Sequence, residues 1–168
     1  MIVQEVIGQV SNFGTDDKKV DLLRIEWFES AKKIQRKRSD DGMDLAIKFF
    51  REGQRLHEGD ILFEDATKRV IVYIKPCDAI VIQPLSLLEM GTVCYEIGNK
   101  HLPVFIQDDQ VLIPFEDPLF RWLGAAGFKP KKEFRKLQNL LKSNVSPHGH
   151  EAPGNSLFTK IINLAAKV

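Results

Sequence analysis

The fold of this chain turns on the stretch Ala79-Ile80-Val81-Ile82-Gln83-Pro84-Leu85-Ser86-Leu87-Leu88-Glu89. Ala79–Gln83 is an apolar run of strand length, and Pro84 ends it because proline cannot donate to a sheet ladder. Ser86 and Glu89 then have capping-box spacing, Ser at the N-cap and Glu at N3, which predicts a helix starting at once. Leu87, Met90, Gly91, Cys94, Ile97, Gly98 and His101 recur at spacings of three and four and are read as one stripe of that helix. Val104–Asp108 and Gln110–Phe115 follow as strands, with Asp108-Asp109 as the tight turn. Pro118–Ala126 is a second helix closed by Gly127, and a last strand is placed near Phe134–Leu141. Strand, helix, strand, strand, helix, strand is the order of a ferredoxin-like βαββαβ domain.

Upstream the pattern is different. Ile2–Val10, Val20–Phe28, Lys32–Arg38, Asp44–Phe49, Gly59–Phe63 and Lys68–Lys75 read as short strands. Gly14-Thr15-Asp16-Asp17 reads as a polar turn. Ser39-Asp40-Asp41-Gly42 reads as a hairpin loop, because Asp-Gly tolerates positive φ. No helical period stands out before residue 84, so this half is expected to be an all-β sandwich or barrel. The fold class is therefore α+β: a β-rich domain over residues 1–75, then a ferredoxin-like domain over 76–142. Nine of the 14 residues of Ser143–Ser156 are Ser, Asn, Pro or Gly, which reads as a flexible tail extending through 143–168. Leu157–Val168 carries apolar residues at helical spacing, suited to a short docking helix or a frayed end.

Composition narrows the classes. The chain has 168 residues and is 43% apolar, which is normal for a folded domain. No apolar run approaches the roughly 20 residues of a membrane span. The start, Met1-Ile2-Val3-Gln4-Glu5, is not a secretory signal. Charge is balanced, with 14 basic and 14 acidic residues up to Lys75 and 10 and 9 after it; a polyelectrolyte partner such as nucleic acid is not indicated. Two cysteines, Cys77 and Cys94, make neither a disulfide framework nor a zinc knuckle, and a reducing cytoplasm fits.

Enzyme signatures are missing. There is no G-x-G-x-x-G, P-loop or G-x-S-x-G, and His57-Glu58 has no second His to complete H-E-x-x-H. His57 lies in a polar turn and is read as a surface residue. His148 and His150, two apart in the tail, could share one ion as a weak chelate. His101 ends the capped helix. Cys94 lies about 10.5 Å before it along the helix axis, too far to share an ion, and reads as a packing residue. A single imidazole holds an ion poorly, but a twofold dimer would bring two copies of His101 together, with His148 or His150 filling open positions. Such a site suits delivery rather than storage. A helix C-terminus also favours protonated imidazole, so binding should weaken below about pH 6. Gly91 and Gly98 cost helix stability, which close approach of a second backbone would explain; alternatively, Gly98 helps to end the helix.

Cys94-Tyr95-Glu96-Ile97-Gly98-Asn99-Lys100-His101 resembles the E-I-G-N-R-H segment of the UreE urease accessory proteins, with Lys100 where Arg is usual. Glu89-Met90-Gly91, Ile106-Gln107-Asp108-Asp109, Ile25-Glu26-Trp27-Phe28, Lys32-Lys33-Ile34, Asp44-Leu45-Ala46-Ile47-Lys48 and Gly59-Asp60-Ile61-Leu62-Phe63 resemble that family in the same order. The resemblance implies a homodimeric nickel metallochaperone, not an enzyme, with residues 1–75 as its partner- or peptide-binding domain and 76–142 as its metal-binding and dimerisation domain. It implies Ni(II) between two His101 side chains with tail histidines His148 and His150 assisting, and delivery to the urease apoprotein through an accessory GTPase. Cu(II) or Zn(II) should substitute in vitro.

The rival reading is a docking or scaffold protein in urease maturation with no metal role. It draws on two basic runs, Lys32, Lys33, Arg36, Lys37 and Arg38, and Lys129, Lys131, Lys132, Arg135, Lys136 and Lys142. RNA binding lacks the aromatic signature of an RNA-binding sheet, and an enzyme lacks any nucleophile–base pair.

Overall fold

The computed structural model of the chain describes residues 1–12 and 17–141. The turn read at 14–17, except for Asp17, lies outside them, as do Lys142 and the whole tail with His148 and His150. The chain divides into two compact units after Lys75.

The first unit is built of β1 (Ile2–Val3), β2 (Gly8–Gln9), β3 (Lys19–Ile25), β4 (Ile34–Arg38), β5 (Asp44–Lys48), β6 (Asp60–Glu64) and β7 (Lys68–Ile74). They form two sheets, ordered β1-β5-β4 and β2-β6-β7-β3. Inward positions alternate along β3 and β5, where Leu23, Ile25, Leu45 and Ile47 are buried. This is the β-domain expected from the strand spacing, with shorter elements. Ile2–Val10 is not one strand but two short ones and a 3₁₀ turn. Val20–Phe28 stops as a strand at Ile25 because the chain coils into a 3₁₀ turn at Trp27–Glu29, where the Glu26 amide donates to Glu29 Oε2 at 3.0 Å.

The hairpin joining β4 to β5 closes as predicted, with Gly42 at φ +89°. Its loop is tied to β3 of the other sheet. Ser39 Oγ donates to Asp21 Oδ2 at 2.6 Å, the Asp41 amide donates to Oδ1 at 2.9 Å, and the Asp40 amide donates to the Leu22 carbonyl at 2.9 Å. Asp21 is only 1% exposed. Asp21→Ala would orphan the buried Ser39 hydroxyl and release the Asp41 amide, so an expected loss of about 2 kcal/mol should appear as a lower urea midpoint at an unchanged m-value.

Glu29 gives this unit a pH dependence. Burial alone would raise its pKa, but the Lys37 ammonium, 2.6 Å from both carboxylate oxygens, together with the Glu26 backbone hydrogen bond and Lys32, holds it below its ordinary 4.5. A depressed carboxylate stabilises above its unfolded-state value, and that contribution is lost as pH falls through the folded value. The stability gap between wild type and Glu29→Gln should therefore be full at about pH 6–7 and close below about pH 4 in urea titrations.

The second unit holds β8 (Cys77–Ile82), α1 (Leu87–Asn99), β9 (Phe105–Gln107), β10 (Gln110–Pro114), α2 (Asp117–Ala125) and β11 (Lys131–Arg135). The sheet order is β11-β8-β10-β9 with antiparallel neighbours, the ferredoxin-like arrangement. Ile80, Ile82, Val111 and Ile113 on the sheet form one buried cluster with Val93 and Ile97 of α1 and Leu119 and Leu123 of α2. Asp108 and Asp109 both have positive φ, 50° and 60°, and make the two-residue turn that the sequence marks.

The last strand sits earlier than Phe134–Leu141. β11 runs Lys131–Arg135, in register with Val81 to Cys77 of β8. Its composition is mostly charged because it is an edge strand. The apolar residues that attract a strand reading do other work: Leu137 is buried, and Leu140 makes an isolated bridge to Phe105. Among the described residues no helix is long and apolar enough to cross a membrane.

Candidate metal centre

The helix that presents His101 begins as the sequence predicts. Ser86 is the N-cap and its Oγ accepts from the Glu89 amide at 3.1 Å; the Glu89 carboxylate reaches back to the Leu85 amide at 2.7 Å. The expected single stripe divides in two. The sheet takes up Val93 and Ile97 fully and Met90 and Cys94 in part. Leu87, Gly91 and Gly98 turn outward with Leu88 and Tyr95, and Leu87, Leu88 and Tyr95 are 89%, 80% and 68% exposed. At 100° per residue these two sets lie on adjacent arcs, so spacing alone merges them. A Cβ at Gly91 or Gly98 would meet nothing within 4 Å in this chain.

The C-terminal end carries the informative geometry. Lys100 is the C-cap, and His101 follows with φ 55°. The His101 amide donates to the Gly98 carbonyl at 2.9 Å and the Leu102 amide to the Ile97 carbonyl at 3.5 Å. These are the two bonds of a Schellman motif, whose left-handed position usually belongs to glycine. α2 ends in the same motif, with the Gly127 amide on the Gly124 carbonyl at 3.1 Å and the Phe128 amide on the Leu123 carbonyl at 3.0 Å. There the left-handed position is Gly127, at φ 92°. Two helices of one domain thus close alike, one with the residue that costs nothing and one with an exposed histidine. A residue with a Cβ holds this conformation only where its surroundings fix it, as they also do at Asp108, Asp109, Lys129 and Asn139. In the sequence this turn is marked only by the absence of a glycine directly after Asn99-Lys100, a signal that apolar spacing does not carry. Gly98 does not end the helix; it lies inside the last turn.

No group of three or more His, Cys, Asp or Glu converges among the described residues. Cys94 packs toward the core, and burial pushes its thiol above its ordinary pKa. It fits the packing role read from its spacing. His57 stands in its polar turn with Nδ1 3.6 Å from Asp60 Oδ2, while the same carboxylate oxygen accepts from the His57 amide at 2.6 Å. The turn is structural: Asp60 also accepts from Gln9, and Glu58 accepts from the Ile74 amide at 2.7 Å.

The basic runs are partly neutralised within their own units. Lys37 is held by Glu29, Arg38 pairs with Asp44 at 2.7 Å, and Lys132 pairs with Asp78 at 2.7 Å.

A β domain followed by a ferredoxin-like domain with one displayed imidazole can be compared with known proteins. Residues 3–75 match the family model for the N-terminal domain of UreE urease accessory protein, and residues 78–152 match that for its C-terminal domain. The fold and these two matches define the class, a two-domain urease accessory protein. The chain belongs to the UreE family. It is 55% identical to the urease accessory protein UreE of Flavobacterium johnsoniae over 165 residues, 98% of this chain and 99% of that one. It is 38% identical to UreE of Acetivibrio thermocellus over 150 residues, 89% of this chain and 97% of that one. It is 37% identical to UreE of Actinobacillus pleuropneumoniae over 153 residues, 89% and 81% of the two chains. Membership in this family gives the chain an accessory role in urease maturation.

Proposed function

We propose that the chain is a non-enzymatic, cytoplasmic nickel carrier for urease maturation, working as a homodimer that holds about one Ni(II) between two His101 side chains. The observation that carries this reading is the exposed imidazole held in a left-handed helix terminus, beside an outward face of Leu87, Leu88, Gly91, Tyr95 and Gly98. The one imidazole at the end of α1 supplies too few ligands by itself, with no group of three His, Cys, Asp or Glu converging among the described residues, and twofold pairing on that face doubles it. His148 and His150 assist in this reading by completing the coordination. A partly open set of imidazoles exchanges its ion readily, which suits transfer to an accessory GTPase and the urease apoprotein. Copper and zinc compete in vitro, since imidazole donors do not select nickel by affinity. Equilibrium dialysis at neutral pH tests the reading: about one Ni(II) per two chains is expected, and no uptake rejects it.

A docking role is favoured by one further surface. The outer face of the β1-β5-β4 sheet exposes Ile2, Ile34 and Arg36 together, and Phe50 is also exposed. Met1, Ile2, Arg36 and Lys48 line a groove there. In this reading the β domain receives a partner in the maturation complex while the second domain carries the ion.

A further inference from the structure

We propose that Lys100 and Trp122 form a clamp that positions His101 for its ion. The inference rests on the nickel-carrier reading above.

His101 occupies a backbone conformation that glycine takes freely and a residue with a Cβ takes only where its surroundings hold it. After His101 the turn is anchored by Leu102, whose amide closes on Ile97 and whose side chain packs on the core. Before it stands Lys100, whose Nζ lies 4.0 Å from the centroid of the Trp122 ring. Trp122 belongs to α2 and packs against the same core, between the buried Leu119 and Leu123 in sequence. A cation at that distance over an indole face is held by the ring's quadrupole, and Trp is the strongest aromatic partner. The turn bearing His101 is thus tied on both sides to α2 and the core. At the Gly127 turn Phe128 packs on the same core in the place that Leu102 takes here, so the stacked Lys100 is what the His101 turn adds.

The clamp also resolves an electrostatic conflict. An ammonium next in sequence to a metal ligand repels a divalent ion. Stacked on Trp122, the Lys100 charge is directed to the α2 ring, and it complements the partial negative charge at the end of α1. Lys100 and Trp122 are therefore positioning residues, not ligands.

Nickel titration calorimetry on the full chain tests this, with Lys100→Met, Trp122→Leu, the double variant and Lys100→Arg. Each single variant should weaken Ni(II) binding about five- to tenfold, the double variant no further than the weaker single, and Lys100→Arg should stay within about twofold because guanidinium stacks as well. Lys100→Met is a mild surface change and carries the test if Trp122→Leu does not fold. Unchanged or tighter binding by Lys100→Met overturns the clamp, since it would mean that the ammonium is idle or merely repels the ion. A lowered melting temperature with unaltered affinity overturns it as well. His101→Gly, titrated alongside, separates the two failures. Wild-type binding there rejects His101 as the site and the clamp with it, whereas lost binding there with an indifferent Lys100→Met rejects only the clamp.

Discussion

His101→Gly is expected to make the protein more stable and, on the proposed carrier function, unable to hold nickel tightly. The left-handed turn after α1 costs a residue with a Cβ roughly 1 kcal/mol that glycine does not incur, and Gly127 ends α2 at no such cost. The imidazole is exposed, so its removal leaves no hole. The melting temperature should rise by several degrees, about 4–8 °C per kcal/mol for a domain of this size. Nickel affinity should fall about 100-fold or more, because one substitution removes both shared ligands of the proposed twofold site. The measurements are a thermal melt and a nickel titration at pH 7.5, with oligomeric mass recorded on the same samples. A stabilised dimer that binds nickel as wild type does would place the site elsewhere, with His148 and His150 as the remaining imidazoles to replace. Opposite movement of stability and binding is the signature of a strained residue kept for its side chain.

Gly91→Leu should also stabilise the subunit while it breaks the assembly. Gly91 is inside α1, where glycine is about 1 kcal/mol poorer than a good helix former, and a Cβ there meets nothing within 4 Å in this chain. A monomer would therefore accept leucine and gain from it. A dimer in which a second α1 backbone lies against Gly91 and Gly98 would not. Its dissociation constant should rise about 30-fold or more, as for loss of a central contact, and shared nickel binding should be lost with it. Sedimentation across a concentration series reads the first effect and equilibrium dialysis the second. A Gly91→Leu protein that remains a tight dimer would move the interface off this face. Tyr95→Ser would then identify whether the neighbouring exposed residues matter at all.

Much of the architecture is written in local signals. Pro84, Ser86 and Glu89 set the start of α1 because capping is a contact between near neighbours. Asp108-Asp109 and the Asp-Gly of the first hairpin announce their turns through tolerance of positive φ. The strand, helix, strand, strand, helix, strand order then leaves few packings, and the ferredoxin-like one is observed.

Two strand ends are set by contacts that periodicity does not register, one distant and one local. β11 lies at Lys131–Arg135 because the free edge of β8 pairs with whatever backbone reaches it, and an edge strand needs no apolar run. Val20–Phe28 ends early because the Glu26 amide and the Glu29 carboxylate fold the chain on themselves.

The candidate site divides in the same way. The sequence alone singled out His101, by its place at the end of a capped helix and within a segment resembling UreE. It also assigned Cys94 to packing and His57 to a surface turn. Tertiary structure decided which arc of α1 faces the sheet, so that Val93 and Ile97 are buried and Leu87, Gly91, Tyr95 and Gly98 are left outward. It also decided that a histidine stands where Gly127 stands in the other helix, and that Lys100 reaches Trp122 on a different element. Local chemistry sets where a helix begins, but the contacts made by each arc, and the residue that stacks on its neighbour, depend on groups distant in the chain that meet only once the core has formed.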